Sequence, residues 1–152
     1  MNNNEASYNI EFRVPREFKY VALIRKGVRH AARQDGYTER ECDDVEVAIG
    51  EAVTNAIAYG NSEGCSDQIY VNCNFSPSRL VIDVQDGGCI SCLPDPLPAP
   101  SAANEHGRGW LLIHRLMDSV AIRCTDYGMM VRMIKEKVAI NKTQGSPVAS
   151  NK

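Results

Sequence analysis

The run Asp43-Asp44-Val45-Glu46-Val47-Ala48-Ile49-Gly50-Glu51-Ala52-Val53-Thr54-Asn55-Ala56 decides the fold. Val45, Ile49, Ala52, Val53 and Ala56 recur at i, i+4, i+7, i+8 and i+11, the spacing of one apolar face of an α-helix. Just upstream, Thr38-Glu39-Arg40-Glu41 has the pattern of a capping box, in which hydroxyl and carboxylate satisfy free amides reciprocally. Downstream, Gly60 and Asn61-Ser62-Glu63-Gly64 predict the stop. Glu51 and Asn55 are four residues apart, so they project from one side, a turn from each other. At about 100° per residue they lie well over a right angle from the centre of the apolar stripe, with small Ala48 beside them. A carboxylate next to an amide oxygen suits a general base beside a ligand for a hard cation such as Mg²⁺. The same pair also occurs on ordinary solvated helix faces.

Outward from this helix the periodicity changes. Tyr8, Ile10, Phe12 and Val14 alternate with polar residues and predict a half-buried strand. Pro15 is expected to end it and to lead into a helix from Arg16 to about Gln34. Phe18, Val21, Ala22, Val28 and Ala32 would be its apolar face and Gly36 its stop. Ile69, Val71, Cys73 and Phe75, then Ser76-Pro77-Ser78, then Leu80, Ile82 and Val84 predict a hairpin. Val120, Ile122 and Cys124, the turn Asp126-Tyr127-Gly128, and Met129, Val131 and Met133 predict a second.

Between the hairpins, Leu93-Pro94-Asp95-Pro96-Leu97-Pro98-Ala99-Pro100 has proline at every second position, which neither helix nor strand tolerates. A connection this long inside a compact domain reads as a lid. Gly107-Arg108-Gly109 then opens a short helix through Met117. The order β-α-α-β-β-lid-α-β-β predicts an α+β two-layer sandwich, about five mostly antiparallel strands covered on one face by three helices. One domain is expected over residues 8–138, with flexible ends at 1–7 and 139–152.

Composition narrows the function. The chain has 152 residues, 43% hydrophobic and 24% charged, which is one ordinary globular domain. Seventeen Lys and Arg against nineteen Asp and Glu leave a net charge of −2, so no overall basic field favours nucleic acid or an anionic membrane. Met1-Asn2-Asn3-Asn4-Glu5 has no basic or apolar leader character, and no run approaches the roughly 18 apolar residues of a span. The expectation is a cytoplasmic protein. Cys42, Cys65, Cys73, Cys89, Cys92 and Cys124 then read as thiols. Cys89-Ile90-Ser91-Cys92 lacks the second pair or nearby histidines of a zinc site.

Two further motifs suggest a ligand. Asp86 ends an apolar strand before Gly87-Gly88. That is either a plain turn or an acceptor-only carboxylate at a pocket mouth, suited to an exocyclic amino group such as that of adenine. Gly107-Arg108-Gly109 at a helix start exposes amides to phosphate, with Arg108 adding a charged donor. Trp110 reads as a hydrophobic anchor and His114 as packing or surface.

Taken in order, Glu51-Ala52-Val53-Thr54-Asn55-Ala56, Asp86-Gly87-Gly88, the long loop and Gly107-Arg108-Gly109-Trp110-Leu111-Leu112-Ile113 resemble the N, G1 and G2 boxes of the GHKL (Bergerat-fold) ATPases. The short single-domain form, with residues 43–55 on its second helix, resembles the RsbW-type anti-sigma factors, which are serine kinases. The resemblance covers about residues 8–136. It implies Glu51 as catalytic base and Asn55 as the Mg²⁺ ligand that bridges metal to ATP. It implies Asp86 and Gly88 at the adenine, residues 89–106 as the ATP lid, and Gly107, Arg108 and Gly109 at the phosphates. A sigma factor, a STAS-type anti-anti-sigma protein and a second copy of the chain are the implied partners. Ile90 replaces the second glycine of the usual DxGxG pattern, Tyr59 stands where many relatives carry histidine, and the lid is proline-rich. A sequestering module without phosphoryl transfer is the alternative, and the catalytic domain of a sensor histidine kinase a distant third.

Overall fold

Alternation along Tyr8–Pro15 builds β1, with the proline as its last residue and not as the start of a helix. The strand lies at the sheet edge, where a residue without an N–H is tolerated. The N–H of Arg16 donates to the carbonyl of Asp67 at 2.9 Å, carrying the extended path one residue further. A 3-10 turn, Phe18–Tyr20, follows, and α1 runs only from Val21 to Gln34. Its buried face is Ile24, Val28, Ala31 and Ala32, whereas Phe18 and Ala22 are exposed, so the predicted stripe was wrong in its first turn. The stop is as expected: Gly36 has φ +92°, and the amides of Gly36 and Tyr37 donate to the carbonyls of Arg33 and Ala32 at 3.1 Å each. That is a Schellman cap.

The computed structural model describes residues 6–59, 67–87, 105–125 and 128–138. Helix α2 spans Glu39–Tyr59 and begins on the predicted box: Thr38 N–H donates to Glu41 Oε2 at 2.7 Å, and Glu41 N–H to Thr38 Oγ1 at 3.2 Å. Then come β2 (Gln68–Phe75), β3 (Arg79–Asp86), α3 (Glu105–Leu116), β4 (Ser119–Thr125) and β5 (Gly128–Glu136). The five strands form one sheet in the order β1-β2-β3-β5-β4, every neighbouring pair antiparallel.

The three helices share one face of that sheet, and the core lies between the layers. Val45, Ile49 and Val53 of α2 meet Ile69, Val71, Ile82 and Val84 of the sheet, all essentially sealed from solvent. Helix α2 is central, packed on α1 along one flank and on α3 along the other. Lys135 of β5 fixes that second flank. Its ammonium donates to Asp44 Oδ2 of α2 at 3.1 Å and to the Leu116 carbonyl at the end of α3 at 2.7 Å. A buried cation is tolerable because both partners are in place. Among the described residues no helix is long and apolar enough to cross a membrane.

Candidate functional site

Register places the first site residue. Asp86 closes β3 opposite Ile69, and its Oδ1 accepts the N–H of Met129 at the start of β5, at 3.2 Å. It is 4% exposed, the lowest among the buried polar residues described. A carboxylate offers about four lone-pair sites and so can accept from more than one donor.

Beside it lies a narrow cleft of about 10 Å³, walled by Ala52, Asn55 and Ala56 of α2, Val84 and Asp86 of β3, Trp110 of α3, and Met129 and Val131 of β5. Most of that lining is apolar, with one carboxylate and one amide as its polar points. That lining has the chemistry for a flat heterocycle whose amino edge meets Asp86, and the walls must part for the ring to enter. Trp110 is the hydrophobic anchor expected, and it serves the pocket as well as the core. Exposed His114 only lies against its ring, centroids 6.2 Å apart.

Glu51 and Asn55 do stand together, but not on a solvated face. Helix α3 covers that side of α2, so Ala48 is buried, Glu51 and Asn55 are half-buried, and Asn55 shares a wall with Ala52 and Ala56 of the apolar stripe. The side-chain nitrogen of Asn55 is shielded from solvent and has no partner. A buried donor left unpaired costs about 1–3 kcal/mol, which an arriving acceptor such as a phosphate oxygen removes.

The glycine-rich motif is placed differently from its reading. Helix α3 starts at Glu105, so Gly107 lies within its first turn and Gly109 in its second. The amides at the very start of a helix have no intrahelical partner, which leaves that of Gly107 for an anion, while exposed Arg108 reaches into solvent with its side chain. Gly109 acts by close approach instead. A Cβ there would stand 2.8 Å from Glu51 Oε2 and 3.5 Å from Asn55 Nδ2. Gly88, Ile90, Cys65, Cys89 and Cys92, residues 89–104 of the lid and the Tyr59 side chain lie outside the described residues, as do the ends 1–5 and 139–152.

Sequence reasoning missed Met129, Val84 and Val131 as walls of the pocket. Val84 lies two residues before Asp86 on the same face of β3, as the strand's alternation already gives. Only the pairing of β3 with β5 brings Met129 and Val131 there, and no motif announces it. Among the described residues no group of three or more His, Cys, Asp or Glu could hold a metal by itself.

Comparison with known proteins agrees with this fold. Residues 14–135 match the histidine kinase-like ATPase domain family. The chain is 30% identical over 141 residues to the serine-protein kinase RsbW of Bacillus subtilis, with 87% of each chain covered. It is 32% identical to the protein of that name from Bacillus pumilus, covering 87% of this chain and 88% of that one. Among solved structures it resembles the RsbU and RsbW domains of a Mycobacterium tuberculosis protein, with a TM-score of 0.64 at 15% identity. That likeness covers 86% of this chain and 32% of the larger one, and it shows a shared fold. An antiparallel sheet under three helices is thus the architecture of a known group, and the chain belongs to the histidine kinase-like ATPase family as one of its RsbW-type members.

Proposed function

We propose that this chain is an ATP- and Mg²⁺-dependent serine/threonine protein kinase and anti-sigma factor of the cytoplasm. It phosphorylates a STAS-type anti-anti-sigma protein, and as a homodimer it holds a sigma factor inactive until that partner displaces it. The observation that carries the reading is the convergence of Glu51 and Asn55 on the α3 backbone at Gly109, next to an apolar slot ending in buried Asp86.

Each residue has a distinct task. Asp86 accepts from the adenine amino group while Trp110, Val84 and Met129 exclude water from the ring. The amide of Gly107 and the guanidinium of Arg108 take phosphate oxygens. The residues also fit a metal: the Asn55 amide supplies one oxygen, and Mg²⁺ ordinarily takes few protein ligands, filling its shell with phosphate oxygens and water. When bound, Mg²⁺ would offset the charge on the phosphates. Glu51 receives the proton of the acceptor hydroxyl as that oxygen attacks. Little covalent chemistry is asked of the protein, so positioning supplies most of the effect.

Labelled ATP, Mg²⁺ and the STAS-type proteins of the same cell test this directly. Glu51→Gln should lower transfer at least about 10²-fold with ATP and sigma-factor binding nearly intact. Asn55→Ala should weaken Mg²⁺-ATP binding and transfer together. A parent protein that binds sigma factor and phosphorylates no such partner would establish the sequestering module instead.

A further inference from the structure

Glu51 has a second neighbourhood. On the flank away from α3, the seam between α1 and α2 opens into a shallow groove of about 260 Å³, lined by Val21 and Arg25 of α1 and by Val47, Gly50, Glu51 and Thr54 of α2. The α2 positions are i, i+3, i+4 and i+7, a single stripe along the helix. Glu51 lies where this stripe meets the side that faces α3, and so it belongs both to the groove and to the cluster at Gly109.

The groove has the makings of a peptide site. Its floor at Gly50 has no side chain, and a Cβ there would stand 2.8 Å from Arg25 Cδ, so backbone and an arginine stem form the bottom. Val47 is 40% exposed, an apolar residue left in water. The guanidinium of Arg25 is loosely engaged: its Nη2 lies 3.4 Å from Glu46 Oε1, while Arg29 holds the other Glu46 oxygen at 3.0 Å. The walls therefore offer apolar contact, a cation open to a second partner and, at one end, a carboxylate.

We propose that this α1–α2 groove is the acceptor site. The protein substrate lays an extended segment along it, with an apolar side chain against Val21 and Val47, an acidic one at Arg25, and its Ser or Thr hydroxyl at Glu51. The inference rests on the kinase reading and adds the direction from which the acceptor arrives. Nucleotide enters between α2 and α3, acceptor between α1 and α2, and Glu51 is the side chain on which they meet. In the transfer the hydroxyl oxygen bonds to the γ-phosphorus and the bond from that phosphorus to the β–γ bridging oxygen breaks. ADP leaves with the electron pair, and the hydroxyl proton passes to the Glu51 carboxylate.

The test is steady-state transfer from labelled ATP to the STAS-type protein that the parent phosphorylates, using Val47→Glu and Arg25→Glu. Leu23→Glu is the control, on α1, 57% exposed and outside the groove. In both groove variants the KM for the acceptor protein should rise at least about tenfold, the size of one lost favourable contact, with the Kd for Mg²⁺-ATP within about twofold of parental. Leu23→Glu should behave as the parent. A matching measurement needs no turnover: adding acceptor to the ADP-loaded protein should shift the amide resonances of Val47, Gly50 and Thr54. Parental acceptor KM in both groove variants, or unshifted amides, overturns the groove and leaves the kinase reading standing. A parent that transfers phosphate to no acceptor overturns both.

Discussion

Glu51 and Gly109 lie so close that a single added methyl group on residue 109 would stand 2.8 Å from the carboxylate oxygen Oε2. The two residues come from different helices, and the contact sets how near α3 can approach α2 at the site. Glycine at 109 is thus required by the neighbouring side chain and not by a turn, since the residue is helical.

Gly109→Ala should therefore separate stability from function. Alanine in a helix interior is favoured over glycine by about 0.5–1 kcal/mol, and the obstructing atom is the end of a flexible side chain. Thermal stability should hold or rise slightly, while the displaced carboxylate costs phosphoryl transfer at least about tenfold. Thermal unfolding and transfer assays on the same preparation check this, and full transfer by the variant would show that Glu51 works from another position.

Asp86→Asn should reduce ATP affinity about tenfold to a hundredfold, the effect of losing about 1.5–3 kcal/mol from a charged hydrogen bond. The asparagine oxygen can still accept from Met129 N–H, so the strand end keeps its contact. Calorimetry with ATP reads the difference, and equal affinities would remove Asp86 from the adenine site.

Thr38→Ala should cost about 1 kcal/mol in denaturant unfolding, by deleting one arm of the reciprocal cap on α2. The m-value should not change, because the same surface is exposed on unfolding. A loss well below this would mean that the Glu41 arm alone closes the helix start.

Cys73 should be inert in the native protein and should make the fold sensitive to alkali. It is buried in β2, and burial, helped by nearby Asp83, pushes its thiol up to about 12. A raised folded value means the fold favours the neutral thiol. That contribution is complete below the ordinary thiol range and is lost as pH rises towards 12. Burial and the Asp35 hydrogen bond push Tyr8 up to about 12 as well, which adds a loss of the same sign. Alkylation at pH 8 should proceed only on unfolding, and Cys73→Val should fall less steeply in stability between pH 9 and 11. Native-state alkylation at the unfolded rate would contradict the burial.

The sequence by itself determined the helix of residues 39–59, its cap at Thr38, the Schellman stop at Gly36, both hairpins and the α+β layering. Each follows from local chemistry: a period of side chains, a hydroxyl three residues before a carboxylate, a glycine free to take positive φ. It also brought Glu51 and Asn55 to one side of a helix, because four residues make a turn. Where that side faced was not local. Only the packing of α3 turned it from a solvated surface into a buried wall, and only the antiparallel pairing of β3 with β5 set Met129 over Asp86. The first turn of α1 was misread for a similar reason, since an edge strand accepts Pro15 and lets the chain run on before the helix begins. The role of Gly109 was the least visible in sequence. Its cause is an atom fifty-eight positions away, reached only when two helices lie side by side on one sheet.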